Sequence, residues 1–284
     1  MEQIAENVYV EPSYEGVNVG AIVTNQGIIA IDSPSYPRQA REWAMRLHTL
    51  SPRPVLFVIL TDYHGDRVLN ARWLNAPIIA QQVTADKLAS YDKRYPAHLL
   101  DNLASRNPQR GRELGNGPIE KAAMSFSNDL HILKGGIQLR LLTAPGPTSG
   151  NIWVYLPTKG ILFAGDTVTA GYHPLLLEGT SQLWLETLQR LQTWSEPLQT
   201  IVPGRGSFTH QETISPMSAY LGQMRECVEK HIAEGKVKEG TAVYIPEFLA
   251  MFPQNGLPDD WLRQQIKQSL DHVYDEIQLG RNRR

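Results

Sequence analysis

The chain has 284 residues and a formal net charge of −2, with 27 basic against 29 acidic side chains; 42% of it is apolar and 20% charged. That balance excludes an electrostatic nucleic-acid binder and an acid-rich disordered segment, and a chain of this length buries enough surface to fold without covalent staples. The one cysteine, Cys227, excludes an intrachain disulfide and a cysteine-rich zinc module.

The N-terminal residues lack the basic start and apolar core of a secretory signal, and no apolar run approaches the roughly 20 residues that span a bilayer. A cytoplasmic protein without a membrane span is the expectation. Val8 to Val10, Val17 to Thr24 and Gly27 to Ile31 read as strands, rich in Val and Ile and broken at Asn25-Gln26-Gly27. Pro37 to Leu50 reads as a helix: Pro37 suits a first turn, and Ala40, Trp43, Ala44 and Leu47 recur at helical spacing. Pro54 to Leu60 is a continuous apolar run, as expected of a strand covered on both faces. Val68 to Leu74, Pro77 to Ala80 and Val83 to Tyr91 then predict helix, strand, helix.

Tyr91 to Pro118 is rich in Pro, Gly and Arg, with a short helix predicted over His98 to Ser105; it reads as an insertion, not a second domain. Strands resume at Ser125 to Ile132, Ile137 to Thr143, Asn151 to Leu156 and Gly160 to Ala164. Ser181 to Trp194 is an amphipathic helix with Leu183, Trp184, Leu188 and Leu191 on one face, followed by a strand at Gln199 to Val202. From Ile214 the pattern is helical to the C-terminus, ending in Asp259 to Leu279 and a solvated Arg281 to Arg284 end. Strand pairs running consecutively in each half predict sheets layered against helices in one domain, 1–284.

Four segments stand at strand exits, where irregular loops commonly hold functional side chains. They are Thr61-Asp62-Tyr63-His64-Gly65-Asp66-Arg67, Ala144-Pro145-Gly146-Pro147-Thr148-Ser149-Gly150-Asn151, Phe163-Ala164-Gly165-Asp166-Thr167 and Val202-Pro203-Gly204-Arg205-Gly206. Their order, spacing and wording over roughly Ile4 to Phe208 resemble the metallo-β-lactamase fold superfamily. The resemblance implies an α/β fold, a four-layered αββα sandwich with the site at one end of two facing sheets. It also implies hydrolysis with one or two zinc or iron ions. To that frame this chain adds the insertion at about 91–118 and extra C-terminal helices at about 214–284.

The family's first motif usually reads T-H-x-H-x-D-H and here reads T-D-Y-H-G-D-R. His64, Asp66 and Asp166 match ligand positions; Asp62, Arg67, Pro147 and Arg205 stand where histidines are usual. A carboxylate replaces an imidazole at nearly the same bond length, so Asp62 keeps a ligand. Proline has no donor, and arginine has no free lone pair. The resemblance therefore implies a degraded dinuclear site in which Arg67 and Arg205 pair with Asp66 and Asp166 and replace a dication by two fixed monocations.

Charge balance then permits no metal, or one zinc or iron ion on Asp62, His64 and Asp166, and opposes two. His173, seven residues after Asp166, is a further candidate ligand or acid, and Asp66 has a catalytic role only with a metal bound. Arg67, Arg205, Thr148 and Asn151 are the candidate binding residues. The expected function is a non-classical or non-hydrolytic member that binds a small anionic ligand or a protein partner. The alternative is a hydrolase with a single ion. The insertion reads as a lid or an oligomer contact, and the apolar C-terminal helices as core packing or a homodimer face. His48, His131 and His231 read as structural or exposed.

Overall fold

The computed structural model describes residues 1–282, the side chains of 213, 281 and 282 aside; of the arginine-rich end, 283 and 284 lie outside the described residues. One sheet holds seven strands in sequence order: β1 (Glu2–Ala5), β2 (Val8–Glu11), β3 (Val19–Val23), β4 (Ile28–Ile31), β5 (Val55–Ile59), β6 (Ile78–Gln81) and β7 (Ala122–Phe126). The first four are antiparallel neighbours; β4 to β7 run parallel. The crossovers between parallel strands are made by helix α1 (Pro37–Leu50), by α2 (Gly65–Val68) with a 3-10 turn (Ala71–Leu74), and by α3 (Gln82–Ser90) with the insertion, whose helix is α4 (Ala97–Ser105).

A second sheet follows: β8 (Leu130–Lys134), β9 (Ile137–Thr143), β10 (Ile152–Leu156), β11 (Ile161–Thr169) and, after helix α5 (Ser181–Gln192), β12 (Thr200–Arg205), in spatial order β12-β11-β10-β9-β8. The chain closes with α6 (Ser215–Ala233), α7 (Ile245–Met251) and α8 (Asp259–Asn282).

Side-chain alternation builds the layers. Along β4, Ile28 and Ala30 face α1 and its neighbours while Ile29 and Ile31 face the other sheet. Along β10, Trp153 and Tyr155 face the C-terminal helices while Ile152, Val154 and Leu156 face the first sheet. Period-two strands with both faces apolar can only be satisfied between two layers, so the result is helix, sheet, sheet, helix. This is the αββα sandwich expected from the sequence. The C-terminal helices bury Phe248, Leu262, Ile266, Leu270 and Val273 against the second sheet, which makes them chiefly a core layer. No helix among the described residues is long and apolar enough to cross a membrane.

Local departures have local reasons. The single strand predicted over Ser125 to Ile132 is two strands in different sheets, with the break at 127–129 where the chain changes layer. The helix predicted over Val68 to Leu74 is split by Asn70, whose Nδ2 donates to Ser35 O at 2.6 Å. Strand β1 lacks an apolar alternation and went unpredicted; it is held at the edge of the first sheet by pairing with β2.

Candidate active site

The four loop segments converge at the C-terminal ends of β4, β5, β9, β11 and β12. The link between sheets is direct, because Ile152 N–H donates to Thr61 O at 2.9 Å. At the centre lies Arg67, whose side chain is 0% exposed. Its Nη1 donates to Thr61 Oγ1 at 2.9 Å and to Asp32 Oδ2 at 3.3 Å. Its Nε lies 3.1 Å from Asp62 Oδ1 and 3.6 Å from Asp66 Oδ1, and its Nη2 lies 2.7 Å from Asp166 Oδ2. Arg205, 20% exposed, donates from Nη2 to Asp66 Oδ2 at 2.6 Å and to Asp166 Oδ2 at 2.9 Å. The pairing of Arg67 and Arg205 with Asp66 and Asp166 expected from the sequence is what the structure contains.

Two members of this cluster had no signal in the motifs. Asp32, at the end of β4, adopts φ 56°, a left-handed conformation that Asp tolerates better than most residues. Its carboxylate accepts from Thr61 N at 2.8 Å and Thr61 Oγ1 at 2.6 Å, and burial pushes its pKa up to about 7 against the pull of Arg67. Arg106, from the insertion, donates to Asp66 Oδ2 at 3.0 Å. Desolvation opposes ionisation of Asp66, yet Arg205, Arg67 and Arg106 hold its carboxyl far below the usual range. Asp66 is thus an ion-pair anchor with three guanidiniums on it.

The remaining donors lie on the other side of the cluster. Asp62 Oδ2 is 2.9 Å from His64 Nδ1 and accepts from Asn151 Nδ2 at 2.8 Å. Asn151 is itself fixed, since its Oδ1 accepts from Thr148 N at 2.8 Å and Thr148 Oγ1 at 2.9 Å. Thr148 and Asn151, taken as binding residues from the sequence, are the brace that orients Asp62. Burial lowers the pKa of His64, but Asp62, together with Asp166 and Asp66, overrides it and raises the value to about 9. Gly204 leaves space for Asp166: a Cβ there would lie 2.1 Å from Asp166 Oδ1. The turn that carries Arg205 is clamped by Asn18, whose Nδ2 donates to Pro203 O at 2.9 Å and Gly206 O at 2.8 Å.

Donor atoms of Asp62, His64 and Asp166 all lie within 4.8 Å of one another. One imidazole and two carboxylates suit zinc or iron, and Asp166 keeps Oδ1 buried without a hydrogen-bond donor. These residues fit one divalent ion. The neighbouring positions carry the guanidiniums of Arg67 and Arg205, which have no lone pair to offer an ion. Asp32, Asp62, Asp66 and Asp166 face Arg67, Arg106, Arg205 and His64. With His64 protonated the formal charges cancel; with His64 neutral as a ligand, a dication plus hydroxide cancels them as well.

His173 stands apart. It is buried between the rings of Tyr220 and Phe252, with centroids 5.9 and 5.7 Å away, and desolvation lowers its pKa. It is not grouped with the donors around Asp62, so its candidacy as a ligand is corrected to an aromatic packing role. His231 is buried with Nε2 2.9 Å from Val237 O, while His48 and His131 are exposed, as expected. Arg67 and Arg205, the guanidiniums named for an anionic ligand, are both paired with carboxylates.

Above the cluster opens a cavity of about 640 Å³, within the range of small-molecule sites. His64, Asp66, Asp166 and Arg205 line its floor, and residues 95–109 of the insertion form one wall. The insertion thus covers the site, in keeping with the lid reading.

Comparison with known proteins places this geometry. A family model described as "Metallo-beta-lactamase superfamily" matches residues 14–205. A hydroxyacylglutathione hydrolase of Synechococcus sp. (strain JA-3-3Ab) is 33% identical over 134 residues, 42% of this chain and 53% of that protein. One from Bartonella tribocorum is 27% identical over 167 residues, 57% of this chain and 51% of that protein. The chain spans about half the length of these relatives. Among solved structures, a metallo-beta-lactamase family protein from Thermus thermophilus superposes with a TM-score of 0.69 at 17% identity, covering 96% of this chain and 95% of that one. A metallo-beta-lactamase from Pontibacter korlensis gives 0.61 at 22% identity, covering 78% and 97%.

Proposed function

This chain belongs to the metallo-beta-lactamase superfamily, and from that membership and the floor of its cavity we propose that it is a hydrolase working with a single divalent ion. The observation that carries the reading is the convergence of Asp62, His64 and Asp166 on one point beneath the cavity, beside a second position filled by Arg67 and Arg205. The hydrolase names of its relatives support it. When bound, a zinc or iron ion supplies Lewis-acid polarisation of the scissile group.

The chain's own residues do the positioning. Asn151 and Thr148 hold Asp62 in one orientation, so the donor set is preorganised by side chains that are themselves fixed. Arg67 neutralises the inner carboxylates and is too deeply buried to meet substrate. Arg205, the more exposed guanidinium, lines the floor and holds Asp166 and Asp66 in place through its Nη2. Trp184 and the insertion wall limit water access from the sides.

Elemental analysis of protein purified without chelator, followed by turnover of ester, phosphodiester and lactam substrates, tests the reading. The expected result is up to one equivalent of zinc or iron and turnover abolished by chelation. Metal below about a tenth of an equivalent with no turnover overturns it, given the affinities of sites with this donor set. One observation favours a second reading in that event. The cluster reaches formal neutrality without any ion when His64 is protonated, which suits a metal-free member that only binds a ligand or partner.

A further inference from the structure

The cavity has an apolar frame built by two elements that flank the first-sheet and second-sheet halves of the site. Leu99 and Leu103 of α4 line one side, Trp261 and Leu262 of α8 the other. The two walls are latched together. Trp261 Nε1 lies 3.2 Å from both Asn102 O and Asn102 Oδ1, and Gln265 Nε2 donates to Asn102 Oδ1 at 3.1 Å. The apolar faces are therefore held open at a fixed separation instead of collapsing onto each other.

The charged residues in the same lining are all engaged. Glu15 lies 3.0 Å from Arg110 and accepts from Asn107 and Tyr36; Glu178 accepts from Tyr63 at 2.7 Å and lies 3.3 Å from Lys87. Asp66 and Asp166 are held by arginines, Arg106 and Arg205 are spent on those same carboxylates, and His64 is on Asp62. A carboxylate or phosphate entering this space meets arginines that are already paired with carboxylates. It must strip a partner from a buried pair or remain desolvated and alone, and either is costly. An apolar arm meets no such cost and gains the burial of its own surface.

We propose that the cavity selects an uncharged acyl substrate, an ester whose apolar acyl arm lies between Leu99, Leu103 and Trp261 and whose carbonyl sits over His64. The reaction rests on the hydrolase reading; the binding preference does not. In hydrolysis, water oxygen bonds to the acyl carbon and the bond from that carbon to the alkoxy oxygen breaks. One water proton leaves on the alcohol, and the other passes to solvent as the new acid ionises.

The test uses full-length, metal-free protein and N-methyl amides of butanoic, octanoic and dodecanoic acids, uncharged analogues that resist hydrolysis. Calorimetry, with quenching of Trp184 and Trp261 fluorescence as a second signal, reads affinity. Each methylene buried contributes up to about fourfold, so the octanoyl amide binds at least tenfold more tightly than the butanoyl amide. Sodium octanoate, the same arm with a charged end, binds more weakly than the octanoyl amide.

Leu103→Ser flattens the dependence on chain length, so the octanoyl amide loses most of its advantage over the butanoyl amide. Trp261→Ala does the same but also opens the latch, so Leu103→Ser with an unchanged melting curve is the deciding variant. Affinity that is flat across the series, or octanoate binding more tightly than its amide, overturns the proposal. Absence of bound metal and of turnover removes the hydrolase reading alone, because the binding series is measured without the ion.

Discussion

Replacing Arg67 by Met keeps most of the side-chain volume and removes the one charge that faces four buried carboxylates. Arg67 lies within 3.6 Å of Asp32, Asp62, Asp66 and Asp166, and its side chain is 0% exposed, so solvent does not screen the loss. Breaking a buried pair by removing one partner costs about 3–5 kcal/mol, against ~0–1 kcal/mol for a surface pair. At roughly 2 °C per kcal/mol for a chain of this size, the melting temperature falls by about 6–10 °C.

The cost of Arg67→Met depends on pH, and the sign follows from the carboxylates. In the native chain Asp62 and Asp66 have pKa values below their ordinary 3.8, despite the desolvation that opposes it. Their pairing therefore contributes stability that is present above that ordinary value and lost as pH falls through the depressed one. Without Arg67, desolvation is less opposed and these pKa values rise, so the variant gains less stability than the native chain as pH increases. The gap between native protein and variant is widest near neutral pH and narrows toward pH 4. Urea unfolding at a series of pH values measures it. A loss below about 1 kcal/mol at pH 7, the size of a surface pair, refutes the central place given to Arg67. A loss independent of pH refutes the carboxylate account.

Other outcomes follow from the same geometry. Asn151→Ala frees Asp62 from its brace and weakens ion affinity by about 10–100-fold with little change in fold, measured by competition with a chromogenic chelator. Gly204→Ala places a methyl group 2.1 Å from Asp166 Oδ1, so it displaces that carboxylate; the expected destabilisation is about 1–3 kcal/mol, with loss of the ion, and an unchanged melting curve contradicts it. His64 has its pKa raised from 6.5 to about 9 in the absence of an ion, so its pairing with Asp62 contributes stability that is whole below 6.5 and lost as pH rises through 9. Imidazole resonances in metal-free protein report this titration, and Asp62→Asn returns it to or below the ordinary value.

Much of this arrangement was readable from residue order alone, and the exceptions share a cause. Strands such as β9 and helices such as α1 announce themselves through apolar periodicity, and the four strand-exit segments carry their chemistry within a few residues of sequence. The pairing of Arg67 and Arg205 with Asp66 and Asp166 followed from which side chains have lone pairs and which have charge. Asp32 was missed because its role depends on the parallel register of β4 on β5, which sets Ile31 against Ile59 and brings Asp32 to Thr61, 29 positions away. Arg106 lies in an insertion with no periodic pattern, so nothing local points its guanidinium at Asp66. Asn151 was readable as a binding candidate but not as a brace, because that role lies in one hydrogen bond to a residue 89 positions earlier.

The number of ions per chain tests the account most directly. Protein stripped with chelator, loaded with excess zinc and freed of unbound metal by gel filtration is expected to saturate at one equivalent by elemental analysis, with binding lost in His64→Ala. Two equivalents would contradict the account, because they would require ligands where Arg67 and Arg205 now stand.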